Sequence, residues 1–133
     1  IKFKSNMDSG MFRPAQLAAV KALELGEDWY ADLNEMYRER KEIAYRIFDV
    51  LGCRYDENQA GLFAWGRVPD SYEDGYALSD ELLYESDVFI TPGGIFGEQG
   101  RKYIRISVCT AADILEQARM RIFDLIQSGN VMS

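Results

Sequence analysis

The sequence predicts an α+β fold of two layers: a small antiparallel or mixed sheet with helices packed on one face. Two observations predict it. Apolar residues recur every three or four positions in four segments, the spacing of a helix with one buried side. Between them the pattern switches to short alternating runs, the spacing of a strand with one buried side. The order is helix, helix, strand, strand, helix, strand, strand, helix, with no internal repeat, which differs from the steady alternation that builds a parallel sheet. At 133 residues, 47% of them hydrophobic, the chain suits one domain with its own core.

The elements follow in order. Ile1 to Lys4 alternates like the end of a strand, and Asp8-Ser9-Gly10 reads as a turn. The chain opens on Ile1 rather than Met, and we expect it to be cut from something longer. A first helix is expected from Arg13 to Leu25, with Pro14 in its first turn, an apolar stripe of Leu17, Val20 and Leu23, and Gly26 at its end. A long helix from Asp28 to Leu51 carries Trp29, Leu33, Met36, Tyr37, Ile43, Ala44, Ile47 and Leu51 on one side. Trp29, Tyr37 and Ile47 read as core, and Arg38, Glu39, Lys41, Glu42 and Asp49 face water.

A short strand near Cys53 to Asp56, a turn through Gly61 and a second strand from Leu62 to Val68 come next, the last closed by Pro69. Ser71 and Asp74 have the spacing of a capping box for a helix from Tyr72 to Glu85, with Leu78 and Leu82 inward. Val88 to Ile90 is expected to be a very short strand, Thr91 to Gly97 a Gly-rich loop, and Tyr103 to Cys109 the clearest strand. Thr110 and Asp113 mark the start of a last helix, Ala111 to Gln127, with Ile114, Ala118, Ile122 and Leu125 inward.

Composition removes several function classes. The net charge is −7, with Lys and Arg dispersed, which argues against nucleic acid as a partner. No run of 18 apolar residues is present to enter a membrane, and with no basic region followed by an apolar stretch at its start no signal peptide is expected. Cys53 and Cys109 form no CxxC pattern and read as reduced thiols of a cytoplasmic protein, with no metal site. There is no histidine, so Ser-His and Cys-His nucleophile pairs are excluded.

The candidate for chemistry is Arg105. In Tyr103-Ile104-Arg105-Ile106-Ser107-Val108 the isoleucines and Val108 point to the helices, and Tyr103, Arg105 and Ser107 point the other way. A guanidinium there matches a carboxylate in a bidentate pair. From pattern alone a structural ion pair with one of the 22 acidic residues is the favoured reading. The Pro92 to Gly97 loop has the freedom to cradle an anion on backbone amides, but it precedes no clear helix and reads better as a plain turn. Ser5 and Asn6 lie in a polar run whose spacing suits helix capping, with a cleft lining as the alternative. Phe63 and Trp65 share a strand face, where aromatic pairs mostly pack.

Taken together, four segments resemble the C-terminal small domain of class I/II aminotransferases of the aspartate aminotransferase fold (pyridoxal-phosphate fold type I). They are Lys4-Ser5-Asn6-Met7-Asp8-Ser9-Gly10-Met11-Phe12 with Gln16-Leu17-Ala18-Ala19; Gly61-Leu62-Phe63-Ala64-Trp65; Val88-Phe89-Ile90-Thr91-Pro92-Gly93-Gly94-Ile95-Phe96-Gly97; and Tyr103-Ile104-Arg105-Ile106-Ser107. The resemblance implies that Arg105 pairs with the α-carboxylate of an amino acid or 2-oxo acid, which reverses the preference for an ion pair. It implies that Ser5 and Asn6 lie near the cleft and subunit interface. It also implies pyridoxal 5'-phosphate as cofactor, an upstream large domain that holds it, and a homodimer. The family's Schiff-base lysine follows a Ser-rich turn, a context that none of Lys2, Lys4, Lys21, Lys41 and Lys102 has. We therefore expect no catalytic residue in this chain, and no transamination by it alone. Two alternatives stand beside this one: a lyase or decarboxylase of the same fold, and a free-standing protein-interaction module.

Overall fold

The computed structural model describes residues 1–3 and 10–129. By its internal contacts the chain divides into two compact units, Ile1–Asn34 and Glu35–Ser133. Helix α1 spans Arg13–Leu23 and helix α2 spans Glu27–Val50, with the division falling inside α2. Strand β1 is Phe63–Arg67, helix α3 Gly75–Ser86, strand β2 Thr91–Pro92, strand β3 Tyr103–Ser107 and helix α4 Ala112–Gln127. Two 3-10 turns, Gly93–Phe96 and Glu98–Gly100, connect β2 to β3.

In the first unit, α1 starts with Pro at its opening positions, as expected, but buries no residue. Leu17, Val20 and Leu23 stand open to solvent, so the apolar stripe has no cover among the described residues. Trp29, expected in the core, is 47% exposed and meets the edge of Tyr30 at 5.0 Å. Lys2 and Phe3 are helical rather than the end of a strand; four alternating residues are too few to separate the two periods.

The second unit is the α+β body. Its sheet is antiparallel, in the order β1-β3-β2, with β3 central. β1 pairs Ala64 with Ile106, Trp65 with Arg105 and Gly66 with Ile104; β2 pairs Thr91 with Arg105. Alternation along β3 buries Ile104 and Ile106 and leaves Tyr103, Arg105 and Ser107 half-buried on the other side. The buried side joins Ile43, Ile47 and Phe48 of α2, Leu78 and Leu82 of α3, and Leu115, Ile122 and Leu125 of α4 in one apolar core. At about 25 cal/mol per Å² of apolar surface, burial of this kind is the main stabilising term. Phe48 is fully buried, and its ring lies where a side chain on residue 66 would be: a Cβ added at Gly66 would come within 2.8 Å of two ring carbons.

Several local expectations are corrected. The stretch near Cys53 to Asp56 contributes one isolated bridge, Arg54 to Arg67, rather than a strand. Strand pairing after α3 falls on Thr91–Pro92 rather than on Val88 to Ile90, although Val88 and Ile90 are buried. Helix α3 starts at Gly75, because the cap is Asp74, whose Oδ1 accepts from the amides of Tyr76 and Ala77 at 3.0 Å; Ser71 plays no part. Helix α4 has Ala111 at its cap position and no side-chain cap bond, so Thr110 and Asp113 do not act as expected. Leu115 is buried where Ile114 was expected, and Ile114 is half-exposed: about one position of helix, some 100°, separates the two.

Candidate functional site

The sheet face away from the helices carries the candidate site. Register places Trp65, Arg105 and Thr91 side by side across three strands, since directly paired residues share a face. Phe63 stands diagonally from Arg105 on β1, and Phe96 ends the 3-10 turn after β2. The Cζ of Arg105 lies 4.0 Å from the centroid of Phe63 and 4.0 Å from that of Phe96, with Trp65 at 5.9 Å. Arg105 makes no ion pair or side-chain hydrogen bond with any described residue. The other arginines of the sheet and its turns behave differently. Arg67 pairs with Asp70 at 3.0 Å, Arg54 with Asp70 at 3.6 Å, and Arg101 with Asp74 at 3.3 Å. Among the described residues, then, the ion pair that pattern alone favoured for Arg105 is absent.

A ring of aromatic contacts fixes this face. Trp65 meets Phe96 edge-on at 5.6 Å and Tyr103 edge-on at 6.5 Å. The backbone of Trp65 is held by the side chain of Gln59, whose Nε2 donates to the Trp65 carbonyl at 2.9 Å and whose Oε1 accepts from the Trp65 amide at 2.7 Å. One amide side chain thus satisfies both backbone groups of Trp65 on the outer edge of β1, and Arg54 bridges Arg67 further along the same edge. Lys41 of α2 steadies the turn by donating to the Gln59 carbonyl at 2.6 Å.

Arg105 also lines a cleft of about 390 Å³ beside β2 and α4. Thr91, Ser107, Thr110, Gln117, Arg121 and one acid, Asp87, bring polar groups to it, and Ile47, Ile106 and Leu115 form apolar wall. The volume falls in the range of small-molecule pockets. No lysine lines it. Lys41 and Lys102 donate to backbone carbonyls, of Gln59 and Tyr72, and Lys21 pairs with Glu24. The described residues therefore do not fit a pyridoxal-phosphate site. No cluster of described side chains has the makings of a metal site either.

Ser5 and Asn6 lie outside the described residues. In the Gly-rich loop the amides of Gly97 and Gly100 donate within the loop itself, to Gly94 and Gly97, which fits a turn better than an anion cradle. Sequence reasoning placed Phe63 and Trp65 on one face and looked for Phe63 beside Arg105, but did not connect Trp65 with it. It missed Gln59 and Phe96 as neighbours of the site. The signal for Phe96 was present, a large apolar residue at the end of a glycine run; for Gln59, one amide in a polar turn, there was none.

Comparison with known proteins places this geometry. The model of the family described as aminotransferase class I and II matches residues 2–122. The LL-diaminopimelate aminotransferase of Oleidesulfovibrio alaskensis is 38% identical over 127 residues, covering 93% of this chain and 32% of that protein. That of Aquifex aeolicus is 34% identical over 124 residues, with the same shares. The crystal structure of an aromatic aminotransferase from Pyrococcus horikoshii matches 88% of this chain with a TM-score of 0.74 at 27% identity, and 32% of its own length is covered. The chain thus spans about a third of the length of the relatives it matches. With the family model reaching over most of its residues, the chain belongs to the aminotransferase class I and II family.

Proposed function

We propose that this chain is the substrate-carboxylate-binding part of a pyridoxal-phosphate-dependent amino-acid aminotransferase, which moves an amino group between an amino acid and a 2-oxo acid. One observation carries the reading: Arg105 stands on the sheet face opposite the helices, beside a cleft, with no carboxylate partner among the described residues. A half-buried guanidinium left without an anion is costly unless a ligand supplies one. A planar fork of donors grips a carboxylate at two points, which fixes the substrate's orientation. Orientation of this kind is catalysis by positioning. The relatives' names, LL-diaminopimelate aminotransferase among them, favour amino-group transfer over the lyase and decarboxylase alternatives. The cofactor and the lysine that anchors it would belong to a large domain outside this chain, and the whole enzyme would be a homodimer.

The test is made in the longer protein that carries this chain. Arg105→Ala is expected to lower kcat/KM for amino-group transfer about 30- to 1000-fold, the loss that follows when one partner of a desolvated charge pair is removed. Arg105→Lys should recover only part of it, because an ammonium cannot grip both oxygens. Rates within twofold of the parent would refute the assignment. The 133-residue chain alone is expected to catalyse no transfer and to show no stable absorbance band of a cofactor–lysine imine.

A further inference from the structure

We propose that Phe63 and Phe96 are positioning residues for Arg105: they cover the two faces of its guanidinium and leave only the rim, with its N–H donors, open to a ligand. This rests on the carboxylate-clamp reading above and deepens it. Each ring centroid lies 4.0 Å from Cζ, well within the reach of a cation–π contact. The ring pairs in contact among the described residues do not include Phe63 with Phe96. Two rings that approach one carbon so closely without touching each other stand on opposite sides of it. A guanidinium is planar and has two faces, so both are occupied.

The consequence is directional. A carboxylate cannot approach over either face and must come in the plane of the fork, where two parallel hydrogen bonds form. Stacking also removes much of the rotamer freedom of a long side chain before the ligand arrives, so less is lost when it binds. Core packing does not account for the two rings, because Phe63 is 39% and Phe96 50% exposed. They come from separate elements, Phe63 from the start of β1 and Phe96 from the turn after β2. Phe96 is set in turn by its edge contact with Trp65, whose backbone Gln59 holds.

The experiment follows the Nε–H signal of Arg105 by NMR in the 133-residue chain, assigned with Arg105→Lys, during titration with acetate. Flanking rings should shift that signal upfield in the parent chain, a readout that needs neither leucine variant to fold. Acetate should move it. Phe63→Leu and Phe96→Leu should each return the signal toward that of a free arginine and weaken acetate binding roughly 3- to 30-fold. Phe96→Tyr should retain both the shift and the affinity. An Arg105 signal without the ring-current shift, or leucine variants with full acetate affinity, would overturn the proposal while leaving the clamp in place. A shifted signal that acetate does not move would overturn the clamp itself, and the positioning role with it.

Discussion

Gly66→Ala tests the packing that holds the site, because it adds one methyl where the structure has no room. The new Cβ would sit 2.8 Å from two carbons of the Phe48 ring, against the 3.5–4.0 Å at which carbon atoms rest. Phe48 is fully buried between α2 and the sheet, so its ring has no solvent to move into. Either the ring leaves its rotamer or β1 lifts from α2. Overpacking of this kind costs about 1–3 kcal/mol. For a chain of this size we expect a fall in Tm of roughly 4–10 °C, and in urea a lower midpoint at an unchanged slope. Phe48→Leu also destabilises by itself, since it removes buried atoms. Combined, the two changes should cost less than their sum by at least about 1 kcal/mol, since the smaller side chain frees the space the methyl needs. The assay is urea unfolding of the parent, both single variants and the double variant, monitored by circular dichroism. A Gly66→Ala cost below about 0.5 kcal/mol, or additive costs in the double variant, would refute the reasoning. The site is linked to this contact, since Gly66 follows Trp65, whose partner across the sheet is Arg105.

Two further outcomes are expected. Asp74 is held below the usual carboxylate range by the amide of Ala77 first, with the Tyr76 amide and Arg101 adding to it. Its charged form is therefore favoured by folding, a contribution present above the unfolded pKa of about 4 and lost as pH falls through the lower folded value. Asp74→Ala should cost about 1 kcal/mol at pH 7, and the gap to the parent should shrink below about pH 4 in urea unfolding followed across pH. The two thiols should also separate cleanly. Burial pushes the Cys53 thiol up to about 12, while Cys109 is exposed. A thiol reagent at pH 8 should modify Cys109 within minutes and Cys53 only after unfolding; two thiols reacting together in the native chain would contradict the packing around Cys53.

What the sequence determined by itself were features that depend on near neighbours in the chain. Period-two alternation put Arg105 on the face opposite Ile104 and Ile106, and helical spacing found Ile43, Ile47, Leu78, Leu82 and Ile122 as core. Pattern did less well wherever the reward lies across the fold. Cys53 to Asp56 alternates well enough for a strand, but only Arg54 finds a partner there, and a strand exists only where a ladder completes it. Leu115 displaced Ile114 because the direction of the core, set by the other elements, selects the buried side of α4. The candidate site shows the same division. An arginine with its charge out of the core was legible in six residues of sequence. That Phe63 and Phe96 would flank it, 33 residues apart in the chain, and that no described acid would neutralise it, was decided only when β1 and the turn after β2 came together on β3. Side-chain contacts between distant segments depend on strand register and crossing geometry, which residue spacing along one segment does not encode.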